Sequence, residues 1–214
     1  MTYQEPQSEV KNEVKIDSTQ IEVADLPVHM PGTKYLIHAI GDVRLAEKSN
    51  GKFGSSKTNS VSYSISNYNR FELTGYLNNL KFQHLDSTSV YTLTDRAIEI
   101  LTATYLDEIS KKINTGILVY TIVDNDTNLD GKINSNDITT LYISQINGKK
   151  FTKLSPDLEE LIDWNTIEAQ NRLYFRTIED INKNGSFDKN DLVNYYFVDL
   201  SASDWKAVKY NVFE

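Results

Sequence analysis

The sequence predicts an all-β protein assembled from antiparallel meander repeats. Two observations carry this. Short runs rich in β-branched and aromatic residues alternate with a period near two: "GILVYTIV" (116–123), "ITTLYISQI" (138–146), "RLYFRTI" (172–178) and "LVNYYFVDL" (192–200). That period marks a strand with two distinct faces. In addition, a strand–loop–strand unit recurs. Its loops are "DTNLDGKINSND" (126–137) and "DINKNGSFDKND" (180–191), and both Asp126 to Asp180 and Gly131 to Gly185 are 54 residues apart.

Along the chain, residues 1–27 are polar and mixed in charge and read as a tail or tether, although "VKIDSTQIEV" (14–23) has the alternation for one strand. Residues 28–214 read as a single β-rich domain of about three repeats, 28–95, 96–156 and 157–214. The last two each run through a lead-in segment, a strand, the Asp/Asn loop, a second strand, a short turn and a final strand. The first is a degenerate copy in which Gly51-Lys52-Phe53 mirrors Gly185-Ser186-Phe187. Its aligned loop positions hold Ala46, Lys48, Asn50 and Lys57. Two ammonium groups there repel a cation, so the loop over 46–57 is expected to bind none.

The two intact loops carry the chemistry. A hard cation such as Ca²⁺ takes six to eight oxygens at about 2.4 Å, and one twelve-residue loop can wrap it. In this register Asp126, Asn128 and Asp130 stand at positions 1, 3 and 5, with Gly131 at the sharp turn of position 6. Lys132 offers its carbonyl at position 7, Asn134 stands at position 9 and Asp137 closes the loop at position 12. Asp180, Asn182, Asn184, Gly185, Ser186, Asp188 and Asp191 repeat the set, with apolar Ile133 and Phe187 at position 8. A lone Asx cluster is usually a turn. Two in one register, each closed by a carboxylate, point to two Ca²⁺ sites.

The spacing resembles the EF-hand loop with Asp in place of Glu at position 12. That closing Asp resembles the loops of dockerins, the calcium-dependent plug modules of cellulosomes, which implies an adaptor as one reading. Because strands flank both loops, the likeness covers the loop chemistry alone. A wider resemblance rests on "IDWNTIEAQNRLYFRTIEDIN" and "LYISQINGKKFTKLSP", where Trp164, Tyr142, Gly148, Leu154, Ser155 and Pro156 stand at matching positions. These stretches resemble the TolB-type β-propeller repeat. Together with the loops, residues 96–214 are similar to exported and lipoprotein families of Bacteroidetes-type bacteria that carry Asp/Asn-rich loops inside such repeats. The resemblance implies a propeller-like arrangement of about three blade-like units, closed or open; a β-sandwich is the alternative the strand pattern allows.

The remaining features exclude more than they assign. A net charge of −8 over 214 residues gives phosphate no basic surface, so no nucleic acid is expected. No apolar run is long enough to span a bilayer. The absence of cysteine excludes disulfides, thiol catalysis and cysteine-ligated zinc. His29, His38 and His84 are scattered, and no G-x-S-x-G, P-loop or GxGxxG is present. Glu159, Glu160 and Asp163 beside Trp164 suit either a glycoside-cleaving carboxylate pair or, as expected here, an exposed acidic turn. In a strand the pair Tyr195-Tyr196 must point one ring inward and one outward, and the outward tyrosines suit a glycan-binding face.

Loops without regulatory helices suit permanent calcium at extracellular concentrations. The expectation is therefore an exported protein, periplasmic or at the cell surface, lipid-anchored through an N-terminal segment since removed. Its partner would be a polysaccharide or another envelope protein. No acid/base or nucleophile set is positioned for catalysis, so a binding module leads, with a glycan-active hydrolase and a dockerin-like adaptor as alternatives.

Overall fold

The computed structural model describes residues 20–44, 64–66 and 71–213. The degenerate loop over 46–57 and most of the expected tail lie outside these residues. The chain lays down β1 (Gln20–Ala24), β2 (Val28–His29) and β3 (Tyr35–Arg44) in a first sheet, and β4 (Ser64–Ser66) and β5 (Phe71–Leu77) in a second. It returns to the first sheet with β6 (Asn79–His84) and β7 (Val90–Thr92). Then β8 (Glu99–Tyr105), the helix α1 (Asp107–Ile113), β9 (Ile117–Val123), β10 (Thr139–Gln145) and β11 (Thr152–Lys153) complete the second sheet. A third is made of β12 (Glu159–Ile167), β13 (Arg172–Glu179), β14 (Leu192–Asp199) and β15 (Val208–Tyr210). Every strand pair is antiparallel. The fold is all-β, as the alternating runs predict.

The second sheet runs in the order β4-β5-β8-β9-β10-β11, and the third runs β12-β13-β14-β15. Strands β8 to β11 and β12 to β15 are thus two up-and-down meanders. In each, an Asp/Asn loop joins the second strand to the third.

The second sheet is covered on both faces. Leu118, Tyr120, Ile122 and Tyr142 pack with Ile37, Leu80 and Phe82 of the first sheet. Ile117, Val119, Leu141 and Ile143 pack with Leu173, Phe175, Tyr196 and Val198 of the third, and with Trp205. Burial on both faces removes the need for polar residues at alternate positions, which is why β9 reads as an almost unbroken apolar run. In the third sheet Tyr196 is buried while Tyr195 turns to the other face. There it joins Tyr174, Phe197, Tyr210 and Phe213 in a herringbone of rings.

One segment left without an assigned conformation is helical, and one local expectation needs revision. The lead-in of the second repeat contains α1, whose Ile109 enters the core with the preceding Leu106. Asp107 and Glu108 in its first turn and Lys111 and Lys112 in its last complement the helix dipole. Asn114 ends the helix in the left-handed conformation, φ +53°.

The acidic cluster is not an exposed turn. It lies in β12, where pairing with β13 carries Glu159 inward, 8% exposed. Glu159 accepts the Thr177 hydroxyl and, at 3.1 and 3.2 Å, the Tyr196 phenol. A register shift between Leu161 and Asp163 precedes a two-pronged pair in which Arg176 donates to both Asp163 oxygens at 2.7 Å. Glu159→Gln keeps an acceptor for both hydroxyls and is expected to change stability by less than about 1 kcal/mol. Glu159→Leu orphans two buried hydroxyls and is expected to cost about 2–4 kcal/mol. Urea unfolding of both variants decides between a working buried acceptor and a tolerated one.

Candidate functional site

The two Asp/Asn loops leave the same end of neighbouring meanders and share six hydrogen bonds position for position. In the first, the Asp126 carboxylate accepts the N–H of Asp130 (3.1 Å) and of Gly131 (2.8 Å). The Asn128 side chain accepts from Asp130 N–H, Asp130 from Lys132, and Asn134 from Asn136, each at 2.9 Å. Asp137 accepts Asn134 N–H at 3.0 Å.

The second loop repeats each bond. Asp180 accepts from Asn184 (3.2 Å) and Gly185 (2.8 Å). Asn182 accepts from Asn184, Asn184 from Ser186 and Asp188 from Asn190, at 2.9, 2.8 and 2.7 Å. Asp191 accepts Asp188 N–H at 2.7 Å. Left-handed backbone recurs as well, at Leu129 and Lys183 (φ +61° and +57°) and at Gly131 and Gly185 (φ +81° and +78°). No atom outside the glycines' immediate chain neighbours stands within 4 Å of where their Cβ would be, so the turn itself requires glycine there.

The loops differ at their closing residue. Asp137 is 5% exposed. Its second oxygen also accepts the N–H of Thr127 (2.8 Å) and of Asn128 (3.1 Å), and the Thr127 hydroxyl (3.2 Å). Burial alone would push this carboxyl up. The N–H groups of Asn134, Asn128 and Thr127 and the Thr127 hydroxyl outweigh it and hold the group below the ordinary aspartate value. Asp191 is half-buried, and its second oxygen takes the Asn182 amide at 3.2 Å. Position 2 accounts for the hydroxyl bond alone: Thr127 in the first loop is Ile181 in the second.

The donors at the predicted positions are oxygens throughout, which suits a hard cation. Asp126, Asn128, Asp130, Lys132, Asn134 and Asp137 share one loop, and Asp180, Asn182, Asn184, Ser186, Asp188 and Asp191 the other. Among the described residues, no group of three or more His, Cys, Asp or Glu side chains is close enough together to hold a metal. A bound ion would therefore draw on amide and main-chain oxygens beside the carboxylates.

Neither family models, curated proteins nor solved structures give a match to the chain. Among the described residues, no helix is long and apolar enough to cross a membrane.

Several residues around the first loop carry no signal in the loop pattern. Thr127 clamps both ends of the loop, since its hydroxyl also accepts Ile138 N–H at 2.9 Å. Asp124, just ahead of the loop, accepts the Tyr142 phenol and the Lys153 ammonium. Glu160 reaches from the third sheet to accept Thr139 N–H at 2.7 Å, where the loop re-enters β10. Burial raises the Glu160 carboxyl above the ordinary glutamate value, and the Thr139 hydrogen bonds only partly offset this.

A raised carboxyl binds its proton more tightly in the folded chain. Stability is therefore lost as pH climbs from the unfolded value, about 4.3, through the folded one. Glu160→Gln, which cannot ionise and keeps an acceptor, removes that loss. Its urea midpoint relative to the unmutated protein should rise between pH 4 and pH 7 by the amount set by this group. A constant difference across that range would contradict the burial argument.

Proposed function

We propose that this is an exported β-repeat protein whose two loops each hold one Ca²⁺ as a structural ion, and whose outer surfaces bind a partner at the cell envelope. The observation that carries the calcium reading is the repetition of the loop fold at 54 residues. The bonds at positions 1, 3, 5, 9 and 12 recur, as does left-handed backbone at positions 4 and 6. An Asx turn that served only to reverse the chain would have no reason to conserve a closing carboxylate eleven residues from its first. Both loops join strands, so an ion there fixes strand ends and has no helix pair to open.

The reading as a binding module is supported by the aromatic outer face of the third sheet. Titrating chelator-treated protein with CaCl₂ in a calorimeter tests the ion count. Two ions per chain are expected, one each in Asp137→Ala and Asp191→Ala. No heat beyond dilution in the unmutated protein would reject the reading.

A further inference from the structure

A cavity of about 500 Å³ opens beside the first loop. It lies between the end of β9, the start of β10 and the turn from β11 to β12, with Thr127 of the first loop in its lining. Four of its side chains, Arg96, Asp124, Lys153 and Asp157, are joined through Tyr142 into a continuous chain of contacts. Asp157 accepts from Lys153 (2.7 Å), and Lys153 also donates to Asp124 (2.9 Å). Asp124 accepts the Tyr142 phenol (2.6 Å), whose oxygen accepts from Arg96 (3.2 Å). The Asp124 side chain is only 9% exposed, whereas that of Asp157 is 86% exposed. Leu158 stands at the rim with 67% of its surface exposed, on left-handed backbone at φ +61°. That conformation is uncommon for leucine, and strain of this kind gathers where a side chain must be aimed.

We propose that this cavity binds one unit of a neutral saccharide. The proposal names the partner class left open above. It rests on the binding-module reading and not on the calcium one. Charge decides against an ionic ligand: the two cations, Arg96 and Lys153, are balanced by the two carboxylates, Asp124 and Asp157. An anion would meet the carboxylates and a cation would meet the bases.

Donors and acceptors remain for a ligand. Among the described residues, the Asn125 amide and the outer Asp157 oxygen have no partner, and Arg96 gives one hydrogen bond of its five N–H groups. A ring of hydroxyls, each both donor and acceptor, matches such a mixed wall. Leu158 and Ile138 offer apolar surface to the C–H faces of a sugar. A cavity of this size accommodates one or two sugar rings. Thr127 belongs to the first loop, and Asn125 and Ile138 flank it, so the loop's two ends border the cavity.

The test uses the full chain, ¹⁵N-labelled, with calcium present. The probes are cellohexaose, xylohexaose, mannohexaose, maltohexaose and chitohexaose, with hexagalacturonate as the acidic control. At least one neutral probe is expected to bind with a millimolar or better Kd and to shift the amides of Asn125, Thr127 and Leu158. Arg96→Ala should weaken that binding about tenfold. Leu158→Gly relieves the backbone and so keeps the fold, and it should weaken binding about threefold. Phe213→Ala, on the aromatic face of the third sheet, should leave it unchanged.

Four outcomes would overturn the proposal: no neutral probe binding at about 10 mM, equal affinity in Arg96→Ala, preference for hexagalacturonate, or shifts confined to the third sheet. New reducing ends appearing during the titration would reject the non-catalytic reading. Shifts at the cavity would still uphold the saccharide site in that case. The calorimetric ion count judges the calcium reading separately.

Discussion

Chelation with EDTA is expected to lower the melting temperature of this protein, and millimolar calcium to restore it. With a Kd near 10 μM per site, about 1 mM Ca²⁺ adds roughly 2.7 kcal/mol for each independent site. In a chain of this size that corresponds to roughly 5–10 °C per site. Asp137→Ala and Asp191→Ala should each remove most of one site's share.

The two variants should differ once calcium is gone. Asp137 holds three main-chain N–H groups and the Thr127 hydroxyl in a buried position. Removing it leaves those donors unpaired at about 1–3 kcal/mol, so Asp137→Ala should also melt lower in EDTA. Asp191 holds one main-chain N–H and the Asn182 amide in a more exposed loop, so Asp191→Ala should fall little there. Scanning calorimetry on the three proteins, with and without EDTA, checks both statements. A melting temperature indifferent to EDTA would remove calcium from the account. A large far-UV change on adding calcium would make the loops a switch instead of a brace.

Gly148→Ala is expected to be among the most damaging single methyl additions in the chain. Gly148 turns the β10–β11 hairpin at φ +73°, and its N–H donates to Gln145 O at 2.8 Å. A Cβ there would stand 2.5 and 2.7 Å from two ring carbons of Phe82. Phe82 has no exposed surface and stacks on Tyr91 with centroids 5.9 Å apart, so it cannot swing aside freely. The left-handed backbone costs alanine about 1 kcal/mol, and overpacking a filled core adds about 1–3. The sum is about 2–4 kcal/mol.

Gly32→Ala separates the two causes. Gly32 shares the backbone, φ +79°, but a Cβ there meets nothing within 4 Å. It should show the backbone cost of about 1 kcal/mol alone. Guanidinium midpoints of the two variants measure the difference, and equal midpoints would mean that Phe82 is not the obstacle.

The strands beside the loops were legible because their signal is local. Residues 172–178 became Arg172–Glu179, and 138–146 became Thr139–Gln145. Side-chain alternation needs no knowledge of what the strand packs against. The shared loop fold was equally legible, since its turn is set by Asp, Asn and Gly within twelve positions.

What stayed hidden depends on partners distant in sequence. Glu159 is buried because Thr177 and Tyr196 receive it, 18 and 37 residues on. Asp124 meets Lys153 across 29 residues. The helix α1 did leave a trace in its charge order, acids first and lysines last. At seven residues it is too short for periodicity to speak, and tertiary packing sustains it.

The sheets also differ in how the chain threads them. The first and second exchange the chain three times: β3 gives way to β4, β5 passes to β6 through the single residue Asn78, and β7 gives way to β8. Each therefore gathers strands from two stretches of chain, one on either side of a visit to the other. The third sheet is one unbroken stretch, from Glu159 to Tyr210, made of hairpins between successive strands. Loop closure inside it is short and fast, whereas the interleaved pair must first bring distant segments together. Refolding should therefore show a quick local zippering and a slower docking onto β9 and β10. Over evolutionary time, such a stretch can be copied, appended or lost by a single cut and join, with no other strand having to find a new neighbour.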